Sequence, residues 1–273
     1  MQNFSTSPVE IGGSLWRNRA LIAALARREV AGRYRGSVMG MAWSFFNPVF
    51  MLLIYTAVFS TVFKARWGLG DEETKADFAI ILFVGLIVHG LFAECVNRAP
   101  TLVVENTSYV KKVIFPLEIL PWVSLASSAF HASVSVAVLL LAQLVLRQSL
   151  PWTALLFPLV LVPLVIGVAG LAWFLAALGV YLRDIGQTTV MFTTVMMFVS
   201  PVFYPVSSLP ASVRGYMFLN PLAYIIEEGR GTLIFGRLPD PGQWLLSLAL
   251  AAVVAALGFA SFQRARRGFA DVI

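Results

Sequence analysis

Between Arg35 and Lys64 the chain carries no charge. This run, Gly36–Phe63, constrains the fold more than any other stretch. About 20 apolar residues in a helix cross the hydrocarbon core of a bilayer, and the run is longer than that. Arg27, Arg28, Arg33 and Arg35 stand just before it. Lys and Arg at the start of a first span stay on the cytoplasmic side. The expectation is an inside N-terminus, a cytoplasmic interface at these four arginines, and a first helix that leaves the cytoplasm.

The remaining chain has the same character. It is 59% hydrophobic and 12% charged, against about 25% charged in an ordinary soluble domain. Net charge is +6. The basic residues sit at the ends of apolar runs rather than in a patch on a polar fold, so they report topology and not nucleic-acid binding. A single cysteine, Cys95, excludes an internal disulfide. The start of the chain lacks a cleavage pattern, so the first span is expected to be a retained signal-anchor.

These features predict an all-α polytopic membrane protein with six transmembrane helices, at about 37–63, 78–99, 119–146, 153–182, 185–204 and 244–262. A cytoplasmic segment, 1–36, precedes the membrane domain of 37–263, and a cytoplasmic tail, 264–273, follows it. Residues 1–13 read as polar and loosely ordered. Over 14–35, Leu15, Leu21, Ile22, Leu25, Ala26 and Val30 share one arc of a helix, with Arg17, Arg27, Arg28 and Arg35 on the other. That pattern suits a helix lying in the membrane interface; a solvated helix bound to another protein fits as well. In this layout thirteen of the 20 Lys and Arg residues lie inside and seven outside, the bias the positive-inside rule requires.

Departures from plain spans mark candidate sites. Glu94 and Arg98 are four apart and can pair on one helix face, as the structural end of a span or as a polar site near a pore mouth. His89 lies deeper and reads as a hydrogen-bonded core residue. Pro201 and Pro205 break the fifth span. Asn220 and Pro221 form a helix start, N-cap then first position. The helix they open carries Glu227, Glu228 and Arg230 among apolar residues. It reads either as a short re-entrant helix in the outer leaflet or as an ordinary interfacial one. Re-entrant backbone survives only against protein or water, so the first reading implies a pore nearby.

Chemistry is sparse. No Gly-rich phosphate loop ending in Lys-Ser/Thr is present. Two histidines and one cysteine give no metal-ligand spacing, and no serine sits in a G-x-S-x-G elbow. The spans lack the buried charges of an ion-driven carrier. Transport powered elsewhere, or passive, is what remains. Within the inside segment Glu105–Pro121, Tyr109 and Val110 beside Lys111 and Lys112 could dock a short helix on a cytoplasmic partner; plain topology explains the lysines equally. Aromatics recur on the first span (Phe46, Tyr55, Phe59) and the fifth (Phe198, Phe203, Tyr204). They suit either stacking on sugar rings or lipid contact and packing.

Taken in order, RREVAGRYRGSVMGMAWSFFNPVF (27–50), NTSYVKKVIFPLEILP (106–121), YLRDIGQ (181–187), SPVFYP (200–205) and NPLAYIIEEGR (220–230) resemble the permease subunits of ABC-2 type polysaccharide exporters, which move O-antigen, capsule or teichoic acid. The resemblance implies two copies of the chain around a channel in the bacterial inner membrane, with lipid-linked polysaccharide, most readily O-antigen, as cargo. It implies two copies of a separate ATPase that binds ATP and Mg, with no cofactor in this chain. Asn106, Tyr109, Val110, Lys111 and Lys112 would form the coupling helix on that ATPase. The listed aromatics would line the sugar path, and the segment carrying Asn220, Pro221, Glu227, Glu228 and Arg230 would close the outer side. An ABC-2 exporter of a drug or lipid shares these features, though such relatives often carry a large outer domain. A membrane-embedded transferase acting on lipid-linked sugar would need an acidic or histidine cluster at a membrane face, which the sequence lacks.

Overall fold

In a computed structural model the chain is described over residues 6–58, 67, 75–110 and 115–272. The described residues contain helices and turns and no strand. Two helices, α1 (Val9–Arg17) and α2 (Arg19–Arg33), precede the first span. Helix therefore begins at Val9, inside the stretch expected to be loosely ordered. The amphipathic segment is two helices broken at Asn18, not one through residue 35. Gly36 and Gly40 then adopt left-handed backbone, with φ of 84° and 51°. Such angles cost a residue with a Cβ energy that glycine avoids, and here they turn the chain from α2 into the next helix.

Among the described residues, five segments are long and apolar enough to cross a bilayer. They centre on α3 (Trp43–Ala57), α4 (Lys75–Arg98), α6 (Leu120–Arg147), α7 (Phe157–Tyr181) and α11 (Pro241–Ala265). The short α5 (Thr107–Val110) lies between α4 and α6. The expected fifth span is shorter: α8 runs Ile185–Val199. At 1.5 Å per residue it is about 22 Å long, less than a bilayer core of about 30 Å. It stops where Ser200 turns extended, one residue before Pro201, since the residue before a proline is pushed out of the helical region. The one-turn α9 (Ala211–Arg214) and then α10 (Pro221–Leu233) follow, and α12 (Phe269–Val272) ends the described chain.

Helix α4 is the centre of the molecule, 78% buried over its apolar window against 6% for that of α3. Its walls are α6, α8, α10 and α7. Packing between α7 and α11 depends on small residues. A Cβ on Gly258 would stand 1.9 Å from the Gly170 carbonyl oxygen, and one on Gly170 would stand 2.5 Å from the Ala255 Cα. Without a hydrophobic drive between helices in lipid, close backbone approach of this kind is what holds them together. Gly179 gives α7 the same freedom against Pro100.

The tail is not a free extension. Phe269 is buried and packs edge-on against Phe262, with ring centroids 5.5 Å apart, and Tyr181 donates to the Ala265 carbonyl at 3.0 Å.

Candidate functional site

One end of the bundle gathers most of the polar structure. Along α2, Ile22, Ala26 and Val30 are buried, and Ile22 and Ala26 pack with Ile119 and Val123 at the start of α6. The apolar back of this helix therefore covers the chain's own third span rather than facing lipid alone. Its polar side makes crossed ion pairs: Arg33 donates to Glu94, and Arg98 donates to Glu29. The pairing of Glu94 with Arg98 expected from their spacing does not form. Each instead reaches α2, because a helix four turns long beside the end of α4 offers both an opposite charge. Burial pushes the Glu29 carboxyl up against the pull of Arg98.

Residues 106–110, expected to dock on a cytoplasmic partner, adjoin this clamp. Asn106 donates to the Leu102 carbonyl at 2.8 Å and ends a short turn, Val104–Asn106. Tyr109 stacks on Phe115, centroids 4.2 Å apart, and its hydroxyl accepts from Arg28 at 2.8 Å. Val110 is half-buried against the core. Lys111 and Lys112 lie outside the described residues. Arg27 and Arg35 stay at the surface.

A second hub escaped the sequence reading. Glu118 is buried; it accepts from Arg266 at 2.5 Å and from Ser14 at 3.4 Å, while its backbone carbonyl accepts from Trp173 at 2.9 Å. One carboxylate thus ties α1 and the residue after α11 to the start of α6. The signal was present: Glu118 is the only acidic residue between Glu105 and Asp184, and a buried charge without a partner is costly.

At the other end, Asn220 caps α10 as expected. Its Oδ1 accepts from the Leu222 amide at 3.0 Å, and its Nδ2 donates to Ser200 at 3.0 Å. Pro221 takes the first helical position. Arg230 is fully enclosed, at 0% exposure. It donates to Ile81 and Val202 carbonyls at 3.2 and 2.9 Å and to Glu227 at 2.8 Å, and lies 4.3 Å above the Trp67 ring. Glu228 is half-buried on the same helix. Ion pairing of Arg147 with Asp77 at 2.6 Å clasps the end of α6 to the start of α4.

The aromatics are dispersed. Phe46 is exposed on α3 and meets Phe45 edge-on; Tyr55 is half-buried beside α4 and α6; Phe59 lies outside the described residues. Phe198, 61% exposed, pairs with Phe203 at 5.8 Å. The Tyr204 hydroxyl reaches the carbonyls of Val199 and Phe198 at 2.9 and 3.2 Å, satisfying the end of α8. His89 is the core residue expected, with Nε2 2.9 Å from the Thr193 carbonyl.

Apolar spans packed around one buried helix, with amphipathic helices locked to one end, mark a multi-pass membrane protein. The chain belongs to the ABC-2 type transporter family, whose profile matches residues 20–234. It is 29% identical over 262 residues to the O-antigen export system permease protein RfbA of Myxococcus xanthus, covering 95% of this chain and 97% of that one. Over 255 residues it is 22% identical to the RfbA permease of Klebsiella pneumoniae, covering 93% and 95%. To the polysialic acid transport protein KpsM of Escherichia coli it is 22% identical, covering 86% and 89%.

Proposed function

We propose that this chain is the membrane permease of an ATP-driven exporter that moves lipid-linked polysaccharide, of the O-antigen type, across a bacterial inner membrane. The similarity to O-antigen export permeases over nearly the full length of both chains carries this reading. Two copies form the path, with both termini in the cytoplasm and six crossings per copy. In each copy α8, the extended residues after it and the short helices up to α10 complete the fifth crossing and cover its outer end. The exposed apolar face of α8, with Met191, Val195 and Phe198 at helical spacing, supports contact with a second copy. The ATPase docks under residues 106–112, and ATP and Mg bind there rather than on this chain. Arg28 holding Tyr109 supports a mechanical role for α2: a push on the docking segment reaches α4 through Glu29–Arg98 and Arg33–Glu94.

The test is deletion and tagged complementation. The deletion is expected to abolish surface polysaccharide, and the tagged chain to co-purify with a nucleotide-binding ATPase in equal amount. Recovery of the chain alone, with surface glycan intact in the deletion, refutes the proposal.

A further inference from the structure

The residues after α11 grip two parts of the chain at once. Arg266 makes the first grip. Its Nη1 donates to the Glu118 carboxylate at 2.5 Å and its Nη2 to the Phe115 carbonyl at 2.9 Å. Both side chains of the Arg266–Glu118 pair are only 10% exposed. A charged pair enclosed to this degree holds its geometry, because parting it leaves each charge buried and uncompensated. Phe115 in turn stacks on Tyr109, with the rings 12° from parallel. It is the first described residue after Lys111 and Lys112, so Arg266 holds the return of the segment 106–112.

The second grip lies on the other side of Arg266. The Tyr181 hydroxyl donates to the Ala265 carbonyl at 3.0 Å, and its ring lies 6.3 Å from that of the buried Phe269. Gly268 permits this approach: a Cβ there would stand 2.7 Å from the Tyr181 hydroxyl oxygen. Tyr181 is the last residue of α7, and α8 begins at Ile185. Residues 265–269 therefore join the return of the segment 106–112 to the turn that starts α8. The ion pairs made by α2 end on α4 instead. An apolar plug is enough to anchor this stretch to the bundle, and Phe269 against Phe262 already supplies one. Desolvating an arginine is costly, and its donors here go to Phe115 and Glu118.

We propose that residues 265–269 act as a strap, with Arg266 and Tyr181 as positioning residues, that carries movement of the segment 106–112 to the start of α8. The proposal rests on the exporter reading above, in which an ATPase moves that segment. Packed side chains and hydrogen bonds of this kind can carry coupling between distant sites. Helices α4 and α8 then receive one push by two routes, through α2 and through the strap.

Conservative variants test this. Arg266→Lys keeps a positive charge beside Glu118 but lacks the fork that reaches two acceptors at once. Tyr181→Ala removes the second grip at an exposed residue, and it carries the test alone if Arg266→Lys lowers the melting temperature. Both variants are expected to retain the ATPase, while polymer exported per ATP hydrolysed falls about fivefold or more, the lower end of ordinary coupling between sites. Spin labels on the two copies, at Thr101 after α4 and separately at Thr188 on α8, both exposed, read the movement in a Cys95→Ser background. ATP is expected to change both inter-copy distances in the parent and only the Thr101 distance in the variants. Parent-like export per ATP, or a Thr188 distance that still changes, overturns the strap and leaves the exporter standing. Loss of both changes also overturns it, because the push then fails before the two routes divide. A parent chain that retains no ATPase and does not respond to ATP overturns the exporter reading and the strap with it.

Discussion

Arg230 shows how one side chain can hold an irregular segment against a buried helix. Its fixed fork of donors reaches two backbone carbonyls and a carboxylate on three different elements, which a single ammonium group does not reproduce. Arg230→Met leaves the Val202 carbonyl without a donor and Glu227 without its cation, at a cost of about 3 kcal/mol. A clear drop in melting temperature of the detergent-solubilised protein is expected, with Arg230→Lys recovering little of it. The Glu29–Arg98 pair makes an asymmetric prediction. Burial already disfavours the Glu29 charge, so Glu29→Gln keeps an acceptor and loses an unwelcome charge. Arg98→Ala instead strands a half-buried carboxylate. Arg98→Ala is expected to destabilise more than Glu29→Gln, and a double-mutant cycle to return a coupling of roughly 1 kcal/mol, since both partners retain some contact with water. Equal effects of the two single changes would count against the burial argument.

At the scale of elements, the same substitution should have opposite consequences in two helices. In Gly258→Ala the new methyl meets the Gly170 backbone, not a side chain that could rotate away. The α7–α11 crossing must open, at a cost of about 1–3 kcal/mol or more. Gly90→Ala, in open space on α4, should be neutral or stabilise by up to about 1 kcal/mol through helix propensity. Melting curves of the two variants side by side check this. The pattern reflects two kinds of glycine: one sits where backbones touch, the other where a wall has been left clear. Helix α8 is governed differently. Its length is limited by Ser200 and the proline after it, and its exposed end is satisfied by Tyr204, so an aromatic read as lining a sugar path also closes a helix.

For the whole molecule, one end is a lattice of side chains from α1, α2, residues 106–110, α6 and the residues after α11. Charge reversal at Lys111 and Lys112 is expected to uncouple ATP hydrolysis from export with the protein still inserted and the lattice intact. Unchanged export with normal ATPase stimulation would remove the docking role from 106–112. Breaking the lattice from within has a different signature. Glu118→Gln leaves Arg266 without its carboxylate and should lower stability as well as export, because it loosens the anchoring of both ends of the chain.

Five of the six expected spans and their order follow from the sequence because bilayer thickness and charge distribution act on contiguous residues. The Asn220–Pro221 helix start, the buried His89 and the break at Pro201 were legible for the same reason: each depends on local chemistry or on one residue in an apolar run. What contacts what was not legible. Glu94 and Arg98 stand at pairing distance along one helix yet pair with Arg33 and Glu29, because a neighbouring helix supplied better-placed partners. Glu118 looked like a loop charge until folding enclosed it beside Arg266. A cavity between α3, α4 and α6 has no sequence signature at all, since Gly90, His131 and Trp43 lie on three helices and share a wall only once those helices are packed. Hydropathy is a property of a segment, whereas pairing and open space belong to the distances between segments, and only tertiary structure sets those.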